Sequence, residues 1–116
     1  MDTQPLNNQI TWEEKIRMVE LHNSLNENKI SFDEFSTYVL TVVPNFDLQA
    51  WEMLITMITL NSDYIREHFS FFKEIQPYVD SLLSNNDSSY SKLPITTQLR
   101  LNILKTNIEE EENNAN

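Results

Sequence analysis

The 116-residue sequence contains no glycine and no cysteine. Glycine supplies the positive backbone angles and the close approach that phosphate-binding loops, dinucleotide-binding turns and nucleophile elbows need. These nucleotide-binding and catalytic motifs are therefore excluded. Two-residue β-hairpin turns also favour glycine, so its absence argues against an extensive antiparallel sheet and favours a helical protein.

The lack of cysteine excludes disulfides, a thiol nucleophile and thiolate metal sites. Only two histidines, His22 and His68, are present, too few for a histidine-rich zinc site. No pattern of nucleophile, base and oxyanion donor accompanies them. The sequence therefore predicts no catalytic residue, no metal and no cofactor, and we expect a protein that is not an enzyme and binds no small-molecule substrate.

Long apolar segments are also missing. The longest strongly apolar stretch, residues 48–60, is too short to span a bilayer and contains Gln49 and Glu52. The N-terminal sequence MDTQPLNNQ lacks the basic region and apolar run of a signal peptide. We therefore expect an intracellular protein, nuclear or cytoplasmic, that does not contact membranes.

Basic residues are scarce, since eight lysines and arginines stand against eighteen acids and give a net charge of −10. Such a chain repels phosphate backbones, so direct nucleic-acid binding is not expected. Four of the acids form the run Glu109–Glu112. This run could attract a basic partner, but runs of this kind are also typical of solvated tails.

The length and the 40% hydrophobic content suit one domain with its own core. We predict an all-α fold, a single compact bundle of five to six short helices over residues 11–108 with an internal loop at 84–94. The flanking residues 1–10 and 109–116 are predicted to be disordered, the first as a polar tail and the second as an acidic, asparagine-rich tail.

Capping residues predict where several helices begin. Thr11 with Glu14 and Ser31 with Glu34 match the capping-box pattern, and Asp47 precedes a third apolar segment. Pro77 is expected in the first turn of a fifth helix. The predicted helices cover about 11–25, 31–43, 47–60, 61–76, 77–83 and 96–109.

Asparagine occupies positions where glycine normally ends a helix, at Asn26, Asn28, Asn61 and Asn85. Asparagine tolerates the left-handed backbone conformation better than most residues. The sequence therefore predicts that asparagine takes over this role of the missing glycine.

The segment NSLNENKISFDEF resembles the loop and exiting helix of an EF-hand, with Glu34 at the twelfth loop position. On this register Leu25 and Asn28 stand at the third and sixth positions, where calcium loops use an oxygen ligand and a glycine. We expect a short turn between two antiparallel helices and no calcium binding.

The first and last predicted helices each carry apolar residues on two opposite sides. At about 100° per residue, one side of the first helix holds Trp12, Ile16 and Val19. The last helix has Leu99 and Ile103 on one side. A surface helix of a monomer needs only one apolar side, so the second must be covered by another layer of the domain or by a partner.

We assign the tryptophan-bearing side of the first helix to the core and the opposite sides to a partner. The predicted partner-binding residues are Met18, Leu21, Leu25, Leu101, Leu104 and Ile108. The predicted function is a non-catalytic helical interaction subunit or regulator within a larger intracellular assembly, nuclear or cytoplasmic. It would act in a hetero-complex or as a homodimer. The alternative is an acidic inhibitor, a nucleic-acid mimic or immunity-type protein that blocks a basic site on a target enzyme.

Overall fold

The computed structural model describes residues 9–84 and 90–114. These residues form six α-helices and two short 3-10 turns, with no strand among them, so the predicted all-α class is confirmed. The helices are α1 (Trp12–Asn26), α2 (Phe32–Val42), α3 (Leu48–Met57), α4 (Ser62–Glu67), α5 (Phe69–Ser84) and α6 (Ile95–Asn114). The chain divides into two compact units, Met1–Ala50 and Trp51–Asn116, with the boundary inside α3. None of the described helices is long and apolar enough to cross a membrane.

The helices of the first unit begin where the capping residues predict. Thr11 Oγ1 accepts a hydrogen bond from the Glu14 amide at 3.1 Å, and the Glu14 side chain accepts one from the Thr11 amide at 2.9 Å. This completes the predicted capping box of α1. Ser31 caps α2, and Asp47 Oδ1 accepts from the backbone amide at position 50 at 2.9 Å. Local side-chain chemistry thus sets these helix starts.

The turn between α1 and α2 uses asparagine in place of glycine. Asn28 has a φ of 61°, in the left-handed region. The Lys29 amide donates to the Ser24 carbonyl at 2.8 Å, and the Asn28 amide donates to the Leu25 carbonyl at 3.0 Å. These two bonds are those of a Schellman motif, which satisfies carbonyls at the helix end. The prediction for Asn28 is confirmed.

The other asparagines proposed for this role behave differently. Asn26 is the last residue of α1, and Asn61 is the N-cap of α4, where its side chain accepts from the Tyr64 amide at 2.8 Å. Asn28 has the one positive φ among the described residues. Asn85 lies outside them.

The core of the first unit includes the residues just before α1. Ile10 is 5% exposed and belongs to a buried cluster with Val42 and Ala50, and its amide donates to the Asn45 carbonyl at 2.8 Å. Gln9 donates to Asp47. The prediction of a disordered tail is therefore wrong for residues 9 and 10, because Ile10 supplies apolar surface to the core. Residues 1–8 lie outside the described part.

The second unit breaks its helices at a different place from the prediction. Helix α4 ends at Glu67, and His68 leaves helical geometry with φ −118° and ψ 37°. Helix α5 then continues through Pro77. The predicted break at Pro77 is wrong, because a proline removes one backbone hydrogen bond while Ile75 and Val79 on either side are fully buried and hold the helix together.

The core of the second unit lies where α4, α5 and α6 pack against one another. Phe72 is fully buried and makes edge contacts with Phe71 and Tyr64, at ring-centroid distances of 5.1 and 6.1 Å. Aromatic pairs favour this geometry. Other fully buried side chains of this unit are Leu54, Ile55, Ile65, Ile75, Val79, Leu101, Leu104 and Ile108.

Helix α6 extends further than the sequence predicts. It continues through Glu109–Glu112 and ends at Asn114, so the prediction of an acidic tail is wrong for residues 109–114. Residues 115 and 116 lie outside the described part. Within the predicted loop 84–94, Tyr90–Lys92 form a 3-10 turn, and residues 85–89 are not described.

Candidate functional site

Helix α6 carries one buried and one exposed row of apolar side chains. The buried row of Leu101, Leu104 and Ile108 has no exposed surface. On the other side, Ile95, Leu99 and Ile103 are 68, 58 and 50% exposed. These three are spaced i, i+4 and i+8 and therefore lie along one side of the helix. We call them the outer row.

Polar side chains fix the orientation of α6 toward the rest of the second unit. The Arg100 guanidinium donates to the Ile55 carbonyl at 2.9 and 3.0 Å and to the Ile58 carbonyl at 3.1 Å. These carbonyls lie at the C-terminal end of α3, where the helix dipole favours a cation. Asn107 donates to the Leu60 carbonyl at 2.8 Å. The outer row is thereby held away from the core by specific bonds.

The C-terminal half of α6 is joined to α4 and α5 by ion pairs. Arg66 of α4 donates from Nε and Nη2 to the two oxygens of Glu111, at 3.1 and 3.2 Å, and the Glu111 side chain is only 8% exposed. Lys73 of α5 bonds Glu112. Lys105 pairs with Glu109 at 3.0 Å. Three of the four carboxylates in the acidic run are therefore engaged within the same chain.

The N-terminal half of α6 is joined to the 3-10 turn before it. The Tyr90 hydroxyl donates to the Gln98 carbonyl at 3.1 Å, and the Gln98 side chain donates to the Leu93 carbonyl at 2.8 Å. The Asn102 amide nitrogen donates to the Tyr90 hydroxyl at 2.7 Å. These bonds hold the first turns of α6, where the outer row begins.

Carboxylates are absent from the sequence around the outer row. Residues 90–108 contain no aspartate or glutamate and three bases, Lys92, Arg100 and Lys105, so all eighteen acids of the chain lie elsewhere. The exposed residues beside the row are uncharged, and they include Thr96, Asn102 and Thr106. The outer row thus lies in an acid-free segment of an acidic protein.

Most of the residues predicted to bind a partner are not accessible. Met18, Leu101, Leu104 and Ile108 have no exposed surface, and Leu21 and Leu25 are half-buried. The prediction reversed the two sides of both helices. It did so because it took Trp12 as a marker of the core and extended that choice to the last helix.

Helix α1 shows the same reversal in the first unit. Trp12 is 58% exposed and Ile16 is exposed, whereas Met18 is buried. On the inner side, Lys15 is also buried, and its ammonium donates to Asp47 at 2.8 Å and to Gln49 at 2.7 Å. A lysine can turn inward when its charge is paired in this way. That pairing could not be foreseen from the spacing of apolar residues.

A shallow groove lies between α1 and α2, and the half-buried Leu21 lines it. The Tyr38 hydroxyl donates to the Glu14 carbonyl at 3.2 Å. Burial and the charge of Glu14 raise the pKa of Tyr38, so this phenol stays protonated near neutral pH and is a hydrogen-bond donor rather than a base. The lining residues are Arg17, Leu21, Asp33, Glu34, Thr37, Tyr38 and Thr41. They include no pairing of a nucleophile with a base.

The turn that resembles an EF-hand loop is a helical hairpin connection. Asn28 supplies its left-handed residue, and the Glu34 amide is capped by Ser31. Over residues 9–84 and 90–114, no group of three histidine, aspartate or glutamate side chains is arranged to hold a metal ion. The expectation that calcium is not bound stays a prediction.

No protein-family model, curated protein or solved structure matches this chain. Its own surface is therefore the source of any functional hypothesis. The outer row of α6 is the most extended exposed apolar feature among the described residues.

Proposed function

We propose that the protein is a non-catalytic helical interaction module that docks onto another protein chain through the outer row of α6. The observation that carries the proposal is the exposure of Ile95, Leu99 and Ile103 at helical spacing. Helices that bind in a groove or against another helix use anchors at this spacing. Contact with a partner would remove these three side chains from water, and apolar burial is the main favourable term in association.

The rigidity of α6 supports this proposal. Arg100 and Asn107 bond the helix to backbone carbonyls at the end of α3 and just beyond it, and Glu111 is bonded by Arg66. A surface that is already ordered loses little conformational entropy when it binds. The proposed setting is an intracellular complex, nuclear or cytoplasmic.

The second candidate function is an acidic inhibitor, which the net charge of −10 suggests. A mimic of nucleic acid needs carboxylates that face the target. In the acidic run, however, Glu109, Glu111 and Glu112 pair with bases of the same chain. These pairs make the run a part of the second unit, which favours the interaction module over the inhibitor.

The proposal is tested with a variant that removes the outer row and a matched variant on the other helix. Leu99→Ser with Ile103→Ser deletes two exposed apolar side chains of α6, and Trp12→Ser with Ile16→Ser deletes two of α1. Both are expected to keep the circular dichroism spectrum and the melting temperature of the wild type. Proteins recovered in stoichiometric amounts with the wild type should be retained by the α1 variant and lost by the α6 variant.

The partner is then purified, and its affinity is measured by calorimetry as salt is raised. Apolar docking predicts an affinity that changes little with ionic strength and a negative heat-capacity change. Affinity that collapses with salt would favour the acidic inhibitor instead. A partner that binds the α6 variant as well as the wild type would contradict the proposed docking surface.

A further inference from the structure

The charge distribution indicates where two copies of this acidic chain could meet. Each copy carries a charge of −10, and like charges oppose self-association. Residues 88–108 are the longest stretch of the sequence without an aspartate or glutamate. Because the outer row of α6 lies within this stretch, the helix turns that carry it can meet those of a second copy without bringing their own carboxylates together.

The outer row also has the symmetry that a two-fold contact requires. In a two-fold dimer the same patch serves on both copies, and each residue i that contacts j is matched by j contacting i. Leu99 is at the centre of the row, with Ile95 and Ile103 one turn to either side. Two such rows placed antiparallel bring Leu99 against its counterpart and Ile95 against Ile103 of the other copy.

The charges at the ends of α6 favour the antiparallel orientation over the parallel one. Beyond Ile103, the outer side continues with Thr106 and Glu110, both exposed. A parallel pair would place Glu110 and the rest of the acidic run beside their counterparts. An antiparallel pair centred on Leu99 separates the two acidic runs, because each run extends past the N-terminus of the other α6, which Lys92 precedes.

We propose that the outer row of α6 binds the outer row of a second copy of this chain, as an antiparallel helix pair centred on Leu99. The inference rests on the proposed function and names its partner. A standard interface buries about 800 Å² on each side, more than three side chains supply. The dimer is therefore expected to be weak, so that monomer and dimer exchange with concentration.

Cysteine cross-linking tests the pairing directly, because the chain has no native thiol. Disulfides form only between Cα atoms within about 7 Å. Mild oxidation of Leu99→Cys is expected to convert most of the protein to a covalent dimer. Ile95→Cys and Ile103→Cys are each expected to remain monomeric alone and to form a covalent dimer when mixed. Asn113→Cys, exposed at the far end of α6, is the matched control and should not cross-link.

Other patterns of cross-linking overturn the inference. A parallel pair would cross-link Ile95→Cys and Ile103→Cys each with itself. Random collision would cross-link Asn113→Cys as readily as Leu99→Cys. Absence of cross-linking at Leu99→Cys, in a variant that keeps the wild-type circular dichroism spectrum, would also exclude the proposed contact.

Sedimentation equilibrium of the unmodified chain gives an independent measurement. The wild type is expected to show a concentration-dependent rise toward twice the monomer mass, and Leu99→Glu to move the midpoint at least about tenfold higher in concentration. A wild type that stays monomeric overturns the second-copy inference. In that case, the proposed function still stands if the variant Leu99→Ser with Ile103→Ser loses a different purified partner that the wild type binds. If the variant loses no partner, the proposed function fails together with the second-copy inference.

Discussion

Helices α1 and α6 each carry apolar residues on two opposite sides, and they differ in the polar contacts that orient the buried side. In α1 the inner side holds Met18 and a buried Lys15 that is paired with Asp47. In α6 the buried row of Leu101, Leu104 and Ile108 is apolar, and Arg100 beside it bonds to backbone carbonyls. A charged side chain therefore takes part in orienting both helices, through a titratable partner in one case and a backbone partner in the other.

This difference shows that apolar spacing identifies the sides of a helix but not which side is inside. The tryptophan of α1 lies outside although tryptophan is the largest apolar residue of the helix. The deciding groups are polar residues whose partners lie far along the chain, such as Lys15 with Asp47 and Arg100 with Ile55.

The largest expected effect separates the two rows of α6. Leu104→Ala removes a fully buried side chain and should lower the free energy of unfolding by about 2 to 5 kcal/mol. Leu99→Ala makes the same chemical change in the outer row and should alter it by no more than about 0.5 kcal/mol. Urea unfolding followed by circular dichroism measures both. Equal losses would mean that the two rows are equivalent and that the outer row is part of the core.

The next effect concerns the bonds that orient α6. Arg100→Ala removes charge-assisted hydrogen bonds to the Ile55 and Ile58 carbonyls and should cost about 1.5 to 3 kcal/mol. Lys92→Ala, which deletes an exposed base of the same segment, is the control and should have little effect on the urea midpoint. An Arg100→Ala protein as stable as the control would show that packing of the buried row alone orients the helix.

A smaller effect on stability is expected at the end of α1. This end is closed by the Schellman motif at Asn28, whereas the end of α6 is held by ion pairs. Asn28 has a φ of 61°, and an alanine there should cost about 1 kcal/mol, since the left-handed region disfavours residues with a Cβ. Asn28→Gly should unfold at the same temperature as the wild type or higher. A glycine variant that melts earlier than the alanine variant would contradict this account of the turn.

The smallest effect is the pH dependence of the inner contact of α1. Burial raises the pKa of Asp47, but hydrogen bonds from Lys15, the Ala50 amide and Gln9 outweigh it and leave the pKa below its usual range. A carboxyl with a lowered pKa in the folded state stabilises the protein above its unfolded pKa, and this stabilisation is lost as the pH falls through the folded value. Melting temperatures measured from neutral pH to below about pH 4 should show the loss.

The control for that measurement is a matched carboxylate. Asp47→Asn should flatten the acid part of the pH profile, whereas Asp33→Asn, exposed in the first turn of α2, should leave its shape unchanged. The Arg100 contact of α6 bonds to carbonyls, which do not titrate, so it contributes no such slope. Identical profiles for the wild type and Asp47→Asn would exclude Asp47 as the source.

Local chemistry was predictable from the sequence. The capping residues Thr11, Ser31 and Asp47 mark the starts of three helices as predicted, and Asn28 takes the left-handed position. These features depend on side chains and amides within a few residues of one another. The absence of glycine was likewise a sound indication of the all-α class.

Features that depend on distant partners were not predictable. The run Glu109–Glu112 is helical because it meets Arg66 and Lys73 from earlier helices, and the sequence offers no measure of that pairing. The buried and outer rows of α6 differ in exposure because of contacts with equally distant residues. The predicted partner-binding residues Leu101, Leu104 and Ile108 of α6 therefore lie on its buried side, which only the packing of the second unit could decide.

The bonds that close the second unit have a consequence for how the chain folds during synthesis. The carbonyls of Ile55 and Leu60 accept hydrogen bonds from Arg100 and Asn107, which are synthesised 45 and 47 residues later. The partner of Arg66, Glu111, also follows 45 residues later. A ribosome adds about 5 to 20 residues each second. We infer that the first unit can form while the chain is still growing, whereas the second must wait until α6 has left the exit tunnel. Protease resistance of ribosome-stalled chains should therefore appear in two steps, and a single step would contradict this order.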